Sequence, residues 1–301
     1  ELLRCVGDPD KRLTEDALRI FRCLRFASAL AFAIEDETVA ALRRHRDLLG
    51  HIAPERLESE LRKLICGPAA AEILLEYPDV VGVVIPEILP AVGFDQRNRH
   101  HCFDVWEHSV RAMAAVPADP ILRYTLLFHD LGKPETFFLD DKGVGHFYHH
   151  GQASERIADA VCTRLRLDRH SHETICRLVR LHDVNIPLTE KGVRRMLRKL
   201  GEEDFRRLIQ VKRGDNLAQH PAYLDRQKWL DQLEELVNVV LREEQCFSLR
   251  QLSVKGDDLL AVGLHGKAVG ETLDRLLDLV IEGEVPNDKE ILLRYVEEDW
   301  L

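Results

Sequence analysis

The feature that most constrains the fold is an apolar repeat of about 3.6 residues that runs through nearly the whole chain. This spacing places apolar side chains on one face of an α-helix. Strand-like alternation is scarce and is clearest around 135–148, where Asp141, Lys142 and Gly143 suit a hairpin turn. We therefore predict an all-α fold. Five of the segments with helical spacing are 15–32, 54–65, 101–116, 153–167 and 224–244.

Charge and cysteine content limit the class of protein. The net charge is −10, but segment 164–213 holds 14 Lys and Arg against 7 Asp and Glu, whereas 222–301 holds 9 against 18. The basic segment is either a local RNA- or phosphate-facing surface or a set of solvated helix faces. Seven cysteines without a C-x-x-C pair disfavour a zinc ribbon and a disulfide framework. No run reaches the ~18 apolar residues of a membrane span, so we expect a cytoplasmic protein with reduced thiols.

Histidines and aspartates form an ordered trail along the middle of the chain. His108 comes first, the doublet His129-Asp130 follows an apolar segment, and Asp215 lies far downstream. Imidazole nitrogens and carboxylate oxygens together suit divalent transition metals. A hydrolytic site needs such ligands and open positions for water and substrate. If the four residues lie together, the chain binds a divalent metal and hydrolyses a phosphate ester.

The same trail, from WEHSVRAM through LLFHDLGKPE to KRGDNLAQ, resembles the HD-domain metal-dependent phosphohydrolases over residues 106–219. The resemblance implies that His129, Asp130 and Lys133 act in catalysis, with Lys133 in reach of a substrate phosphate. It also implies that His150 and His182 add ligands for a second ion. The implied metal ligands are His108, His129, Asp130, Asp215, His150 and His182.

Other polar residues near the trail are not interpreted as metal ligands. Four histidines are interpreted as surface or substrate-side groups rather than ligands: His100, His101, His146 and His149. Asp104 lies one turn before His108 and is suited to orient it, while Asp183 has no assigned role. The ion stays open among Mg, Mn, Ni, Co, Fe and Zn, as does the number of ions.

A second motif, D-P-x-x-R-x-x-E-D-x-L-R-x-x-R-x-x-R-F, occupies residues 8–26. By itself it predicts one capped helix, with Thr14 as the N-cap and acidic residues at the positive helix end. The string also resembles the neck of the tRNA nucleotidyltransferases, which include CCA-adding enzymes, and of their poly(A) polymerase relatives. The resemblance implies a nucleotide-binding role for Glu15, Asp16, Arg19, Arg12 and Arg22.

The chemistry of Asp16 and Arg19 agrees with a template for bases. Residues three apart share a helix face, and a carboxylate accepts hydrogen bonds whereas a guanidinium donates them. Cytosine and adenine each present an amino donor beside a ring-nitrogen acceptor, which this pair can match. Uracil and guanine present the opposite pattern, and each unpaired polar group costs roughly 1–3 kcal/mol. The pair is therefore expected to select C and A.

Segments 53–65 and 252–293 resemble further parts of the same family, with Arg56 and Glu60 expected to brace the neck. The resemblance implies four segments: a nucleotide-template and RNA-binding neck at 1–66, a body segment at 67–98, an HD domain at 99–221 and a helical tail at 222–301. The family's catalytic head carries a Gly-Ser stretch and a D-x-D pair on a sheet. Neither is found on a predicted sheet, so we expect the chain to begin after the head and not to add nucleotides alone.

These patterns predict two functions and leave two alternatives open. The intact protein is expected to join C and A to tRNA 3′ ends, with tRNA or another RNA 3′ end, CTP and ATP as partners and no membrane. This chain is expected to keep an HD activity on a phosphomonoester or a 2′,3′-cyclic phosphate. The alternatives are a non-catalytic tRNA-binding module with a structural HD site and a stand-alone HD nucleotide phosphohydrolase. The neck motif does not separate CCA addition from poly(A) addition.

Overall fold

A computed structural model describes the backbone of residues 1–243 and 245–300. Helices hold 67% of the residues and strands 3%, so the all-α prediction is confirmed. Within the described residues the helices are α1 (Pro9–Glu15), α2 (Leu18–Leu30), α3 (Asp36–His45), α4 (Pro54–Ile65), α5 (Ala70–Glu76), α6 (Pro78–Val84), α7 (Val105–Ala114), α8 (Pro120–Phe128), α9 (Lys133–Thr136), α10 (His150–Arg164), α11 (Arg169–Leu181), α12 (Glu190–Leu217), α13 (Arg226–Arg242), α14 (Gly256–Ala261), α15 (Lys267–Glu282) and α16 (Lys289–Trp300).

Strands are confined to two short pairs in the part of the chain that the structure covers. Strands β1 (Leu2–Leu3) and β2 (Ala33–Ile34) are parallel. Strands β3 (Phe138–Leu139) and β4 (Gly145–His146) form an antiparallel hairpin. Gly143 in its turn has φ +74°, a backbone conformation that favours glycine. The hairpin predicted around 135–148 is therefore present. Short 3-10 helices lie at Arg46–His51, Pro86–Ala91 and Pro221–Tyr223.

The chain folds as two compact units. The first comprises Glu1–Asp183 and Arg207–Gln227, and the second comprises Val184–Arg206 and the chain from Lys228 onward. Helix α12 has residues in both units and is interrupted at Gly201, whose φ is +73°. The four segments predicted from the sequence describe roles rather than packing, and that division stays a prediction.

The first helix of the chain differs from the sequence prediction. Asp8 caps α1 by accepting hydrogen bonds from the amides of Asp10 and Lys11, at 3.0 and 3.4 Å. Thr14 lies inside α1, and its hydroxyl donates to the Asp10 carbonyl at 2.8 Å. The prediction that Thr14 is the N-cap is therefore wrong. Pro9 at the first helical position explains the earlier start, because its fixed φ suits N1 and its missing N–H is not needed there.

Helix α8 is the centre of the first unit because it is buried on every side. All eight residues from Ile121 to Phe128 are buried, and each buried Leu or Phe contributes roughly 1.5–3 kcal/mol. Arg123 is the buried charge of this helix. Its guanidinium donates to the carbonyls of Gly67, Val116 and Pro117 at 3.3 Å each. The end of α8 consequently lies inside the protein, and the next residues, His129 and Asp130, have exposures of 0% and 1%.

Helices α10 and α11 pack against each other and against α8. Helix α10 comes close to the segment after α8 at Gly132, where a Cβ atom would lie 2.6 Å from the Ala153 Cβ and from the Ser154 nitrogen. The Gly132 amide donates to the Ser154 hydroxyl at 2.9 Å. Glycine is therefore required here for the close approach of α10 to the segment that follows the His-Asp doublet.

The second unit has its own apolar core, which includes Leu252, Leu276, Leu292 and Val296. Asn287, at an exposed position, is hydrogen-bonded to the segment that contains Leu252. Its side-chain oxygen accepts from the Ser253 amide at 2.8 Å, and its side-chain nitrogen donates to the Gln251 carbonyl at 2.9 Å. Among the described residues, no helix combines the length and the apolar character needed to cross a membrane.

Candidate metal centre

Three ligand-type side chains meet where α7, α8 and α12 come together. They are His108 of α7, His129 at the end of α8 and Asp215 of α12, and their ligand atoms lie within 4.8 Å of one another. The Asp215 Oδ1 is 3.0 Å from the His108 Nε2 and 3.7 Å from the His129 Nε2. Residues 107 positions apart in the chain thus form one triad.

A second triad adjoins the first and contains Asp130, His150 and His182. The Asp130 carboxylate lies between the two groups. Its Oδ2 is 3.4 Å from the His108 Nε2 and 3.3 Å from the His129 Nε2. Its Oδ1 is 3.4 Å from the His150 Nε2 and 3.6 Å from the His182 Nε2. The structure therefore brings all six sequence-predicted ligands into one centre.

Each of the four imidazoles is oriented by a backbone carbonyl. The Nδ1 atoms of His129 and His182 lie 2.7 Å from the carbonyls of Leu126 and Val179, three residues earlier at the ends of α8 and α11. The Nδ1 of His150 lies 2.8 Å from the Phe147 carbonyl. The Nδ1 of His108 lies 3.2 Å from the Ala218 carbonyl, just past α12. Leu126 and Val179 lie in the last turns of α8 and α11, where carbonyls lack their usual intrahelical partners, whereas the Phe147 carbonyl precedes α10 and also accepts from the His150 amide at 3.1 Å.

The orientation of the rings fits a bound cation. A carbonyl only accepts hydrogen bonds, so each neutral imidazole carries its proton on Nδ1 and turns an Nε2 lone pair toward Asp130. The His129 Nε2 has no hydrogen-bond partner among the described residues, and the Nε2 atoms of His150 and His182 face each other at 3.0 Å. Converging lone pairs and carboxylates are the environment of a divalent metal with its outer hydrogen bonds in place.

The charges of the centre agree with this interpretation. Burial alone would lower the pKa of His129, but the neighbouring carboxylates of Asp130 and Asp215 outweigh it and raise the pKa to about 10. Burial opposes ionisation of Asp130 and Asp215, yet the imidazoles and Lys133 hold the pKa of Asp130 well below its usual range, and the imidazoles do the same for Asp215. The centre therefore holds two ionised carboxylates, whose charge a protonated His129 or a metal ion in place of that proton can balance.

Lys133 is drawn into the same network. It is 4% exposed, and its Nζ lies 2.6 Å from the Asp130 Oδ2 and donates to the Gln96 Oε1 at 2.8 Å. His101 is next to it, with its Nε2 3.5 Å from the Nζ. Burial and the Lys133 charge lower the pKa of His101 to about 3, which leaves that ring neutral. Contact between Lys133 and a substrate phosphate stays a prediction.

A cavity of about 310 Å³ opens over the centre. Its walls include Asn98, Lys133, Tyr148, Asp183 and Gln219 beside the second triad. His146 and His149 also line it, and their interpretation as substrate-side groups stays a prediction. Asp104 caps α7 by accepting from the Glu107 amide at 2.8 Å, so its side chain serves the helix end rather than the His108 ring.

Sequence reasoning missed two buried supports of the centre. Lys212 is 2% exposed and donates to the His182 carbonyl at 2.7 Å, and burial lowers its pKa to about 8. Gln96 is 1% exposed and joins Lys133 to the Phe103 carbonyl. The position of Lys212 three residues before Asp215 was an available signal. Gln96 lies in a loop, where no periodic pattern marks it.

The neck residues adopt a different arrangement from the predicted shared helix face. Asp16 has extended backbone angles between α1 and α2, and its carboxylate accepts from the Leu18 amide at 3.2 Å. That local bond competes with continuation of the helix. Arg19 instead pairs with Glu15 at 3.1 Å, and Glu15 also pairs with Arg12 at 2.6 Å. The prediction that Asp16 and Arg19 share one helix is therefore wrong.

Two further arginines of the motif have structural partners. Arg25 of α2 pairs with Glu60 of α4 at 2.6 Å, with both side chains largely buried, which braces the neck helices. Arg22 lies 6.0 Å from the centroid of the Phe26 ring. Arg19, Arg22 and Phe26 line a second cavity, of about 240 Å³. The nucleotide-binding role of the neck stays a prediction.

Known proteins resemble the chain along nearly its whole length. The family model for tRNA nucleotidyltransferase domain 2 matches residues 146–296, and the model for the "Probable RNA and SrmB- binding site of polymerase A" matches residues 31–89. The A-adding tRNA nucleotidyltransferase of Deinococcus radiodurans is 31% identical over 306 residues, covering 96% of this chain and 69% of the relative. The chain belongs to the tRNA nucleotidyltransferase family. The predicted resemblance to that family is confirmed.

Other family members agree in sequence and in fold. The CC-adding tRNA nucleotidyltransferase of Thermus thermophilus is 33% identical, covering 93% of this chain and 66% of that protein. The crystal structure of the Bacillus stearothermophilus CCA-adding enzyme in complex with CTP superposes with a TM-score of 0.65 at 24% identity. The match covers 99% of this chain and 65% of that one, and it supports the fold alone. The chain thus spans about two thirds of the length of these relatives.

Asp130→Asn is expected to weaken binding of Mn²⁺ at least about tenfold, because losing a ligand costs more than losing an outer hydrogen bond, which costs ~10–100-fold. Isothermal titration of the reduced chain with Mn²⁺ measures this change. His170→Ala, at an exposed position of α11, is the matched control and should bind as the original chain does. Equal affinities in Asp130→Asn and the original chain would contradict a metal centre at Asp130.

Proposed function

We propose that the His-Asp centre is a divalent-metal phosphohydrolase site of the HD type. The observation that carries the proposal is the convergence of four oriented imidazoles on the Asp130 carboxylate. A purely structural network would be expected to pair these nitrogens with donors and acceptors of its own. Here the His129 Nε2 lacks a hydrogen-bond partner among the described residues.

The two triads suit two ions. His108, His129 and Asp215 would hold one ion, His150 and His182 would hold a second, and Asp130 lies within reach of both groups. A bound divalent ion supplies Lewis-acid activation of a phosphoryl oxygen and lowers the pKa of coordinated water. The remaining catalytic work falls to the protein. Lys133 adds a positive charge beside Asp130, and Gln96 and His101 hold that charge in place.

The substrate is a phosphate ester that enters the cavity over the second triad. We infer a phosphomonoester or a 2′,3′-cyclic phosphate. Family membership favours an RNA end over a free metabolite. A stand-alone nucleotide phosphohydrolase is less favoured, because the matches to relatives cover the neck as well as the HD segment. The native metal is expected among the six divalent ions named above.

Hydrolysis of a chromogenic phosphodiester and of a 2′,3′-cyclic nucleotide in the presence of Mn²⁺ or Ni²⁺ tests this activity. Asp130→Ala is expected to lower kcat/KM at least about 100-fold, since ligand loss exceeds the ~10–100-fold effect of outer partners. His170→Ala should retain full activity. No turnover of either substrate with any of the six ions would reject the proposal and favour a non-catalytic RNA-binding module.

We further propose that the chain serves as the neck, body, HD and tail part of a protein that adds nucleotides to tRNA 3′ ends in the cytoplasm. The proposal includes that this protein uses CTP and ATP as substrates and binds tRNA. The names of the two relatives, an A-adding and a CC-adding enzyme, favour tRNA over poly(A) addition. Which of these nucleotides is added is left to experiment.

In this proposal Arg19 and Asp16 read the base. They lie at the junction of α1 and α2, with side chains 34% and 32% exposed. To bind a base, Arg19 would have to break its ion pair with Glu15 and form hydrogen bonds with the base instead. An exposed ion pair contributes only about 0–1 kcal/mol, so the exchange costs little. Arg12 and Arg22 supply positive charge for the phosphates.

Arg19→Ala is expected to weaken binding of CTP and ATP about tenfold, which corresponds to ~1.4 kcal/mol for a lost polar contact. Equilibrium binding of CTP, ATP and UTP to the full chain measures it, with UTP binding weakest. Lys11→Ala, exposed on α1, is the control. Equal binding of UTP and CTP, or an unchanged affinity in Arg19→Ala, would contradict the role of the neck without affecting the HD assay.

A further inference from the structure

A second group of metal-ligand side chains lies between α10 and α11, apart from the His-Asp centre. It consists of Cys162 of α10 with His172 and Cys176 of α11, whose ligand atoms all lie within 4.8 Å of one another. His172 and Cys176 are four residues apart and so lie on one face of α11. The sequence alone gave these thiols no role beyond being reduced, because no C-x-x-C pair marks them.

The neighbouring groups complete the pattern of a metal site. Asp159 lies three residues before Cys162 on the same face of α10, and its Oδ1 is 2.7 Å from the His172 Nε2. A carboxylate on the imidazole is the partner that typically orients a metal-binding histidine. The two sulfurs are hydrogen-bonded to each other.

The chemistry of this group differs from that of the first centre. Thiolates are soft ligands, and two of them with an imidazole favour Zn²⁺ over Mg²⁺ or Mn²⁺. Cys162 is buried, while His172 and Cys176 are partly exposed, so an ion can enter from solvent. Cys162 is twelve residues beyond His150 on α10, which is roughly 18 Å along the helix at 1.5 Å per residue.

We propose that Cys162, His172 and Cys176 form a zinc site, with Asp159 as the group that positions His172. The ion would join α10 to α11 near the short connection between them. The opposite ends of the same two helices carry His150 and His182. A zinc ion here would hold together the helix pair that presents one half of the catalytic centre, without taking part in the reaction.

Cobalt substitution tests this site in the full, reduced chain. The six side chains of the first centre are imidazoles and carboxylates, so a thiolate-to-Co²⁺ charge-transfer band in the near ultraviolet reports on the cysteine group. We expect the band in the original chain and in Asp130→Ala, and its loss in Cys176→Ser and His172→Ala. Cys102→Ser, at an exposed position, should keep it.

Thermal unfolding distinguishes loss of zinc binding from failure of a variant to fold. In the Asp130→Ala background, added Zn²⁺ should raise the Tm, and this rise should vanish when Cys176→Ser is added. Absence of the band in the reduced original chain, or its persistence in Cys176→Ser, would overturn the proposal. A Cys162–Cys176 disulfide in protein that shows no band after reduction would also overturn it and assign the pair to redox chemistry.

Three aromatic rings, those of Phe138, His146 and Tyr148, lie beside the cavity of the first centre. Phe138 and His146, paired across β3 and β4, stack with centroids 5.3 Å apart and an interplanar angle of 23°. His146 and Tyr148 stack at 5.7 Å and 16°. The side chains are nonetheless accessible, since Phe138 is 43% exposed and Tyr148 is 64% exposed.

The ring group is held rigidly and close to the catalytic residues. The His146 Nε2 lies 3.0 Å from the Asp140 Oδ2, which fixes the middle ring. His146 and Tyr148 line the same cavity as Asp130, Lys133 and His150. Exposed, preoriented rings beside a cavity of this kind resemble the surfaces on which proteins stack the bases of single-stranded nucleic acids.

We infer that Phe138, His146 and Tyr148 form a stacking platform for the nucleobase of the ester hydrolysed at the centre. This inference rests on the proposed HD activity and names its substrate class as a ribonucleotide or RNA 3′ end. Stacking on a ring face is tolerant of base identity. The platform would therefore orient the terminal nucleotide while accepting any of the four bases.

Kinetics with and without a base test the platform. Tyr148→Ala is expected to raise KM for 2′,3′-cyclic CMP about tenfold, or ~1.4 kcal/mol, because the base loses a stacking partner, with kcat changed less than about twofold. Tyr148→Phe should restore KM. Hydrolysis of base-free glycerol 1,2-cyclic phosphate should be unaffected. Equal effects on both substrates, or none on either, would overturn the platform.

Failure of the HD activity itself gives a different result. In that case the original chain would hydrolyse neither substrate. Binding of a 2-aminopurine ribonucleotide then tests the platform alone. We expect quenching of its fluorescence by the original chain and loss of that quenching in Tyr148→Ala. Absence of quenching by the original chain would overturn the platform as well.

Discussion

The His-Asp centre depends on four hydrogen bonds between imidazole Nδ1 atoms and backbone carbonyls. The carbonyls belong to Leu126, Phe147, Val179 and Ala218, and each lies near a helix end. A helix leaves its last carbonyls without internal partners. Leu126 and Val179 belong to such last turns, and all four histidines gain a fixed ring orientation from the carbonyl they contact. The outward nitrogen of every ring is then directed to Asp130.

This arrangement explains why the doublet lies at the end of a wholly buried helix. Helix α8 carries apolar side chains on all faces, so its last turn reaches the interior of the first unit. There, charged groups are costly unless paired. The carboxylates of Asp130 and Asp215 meet imidazoles and the Lys133 ammonium, and the pKa of each carboxyl group is lowered as a result. Gly132 then lets α10 approach closely enough to add His150.

Much of this could be predicted from residues alone. The helical repeat predicted the fold class, and the hairpin turn at Asp141-Lys142-Gly143 was evident from composition. The six ligands followed from their order in a family motif, and the structure brings them together, while their binding of metal stays a prediction. The supports Gln96 and Lys212 did not follow. A glutamine in a loop and a lysine on a basic helix look like ordinary surface residues until their burial is known.

In the neck, two local preferences of Asp16 compete: a place within a helix and a hydrogen bond to the backbone beyond it. Spacing of three predicted a shared helix face for Asp16 and Arg19, but Asp16 bonds to the Leu18 amide and interrupts the helix. Both outcomes are compatible with the same residues, because a short acidic side chain can cap a helix as well as lie within one. Only the packing of α1 and α2 against their neighbours selects between them.

By itself the sequence determined the all-α class, the family and which six side chains are the candidate ligands, because periodicity and ordered motifs are properties of the chain. Tertiary structure alone decided which atoms meet. It directed four Nε2 atoms to one carboxylate, joined Cys162 to His172 and Cys176, and exposed three stacked rings beside the cavity. These pairings join residues from different helices or loops, and their distances are set by how the apolar faces pack rather than by any local pattern.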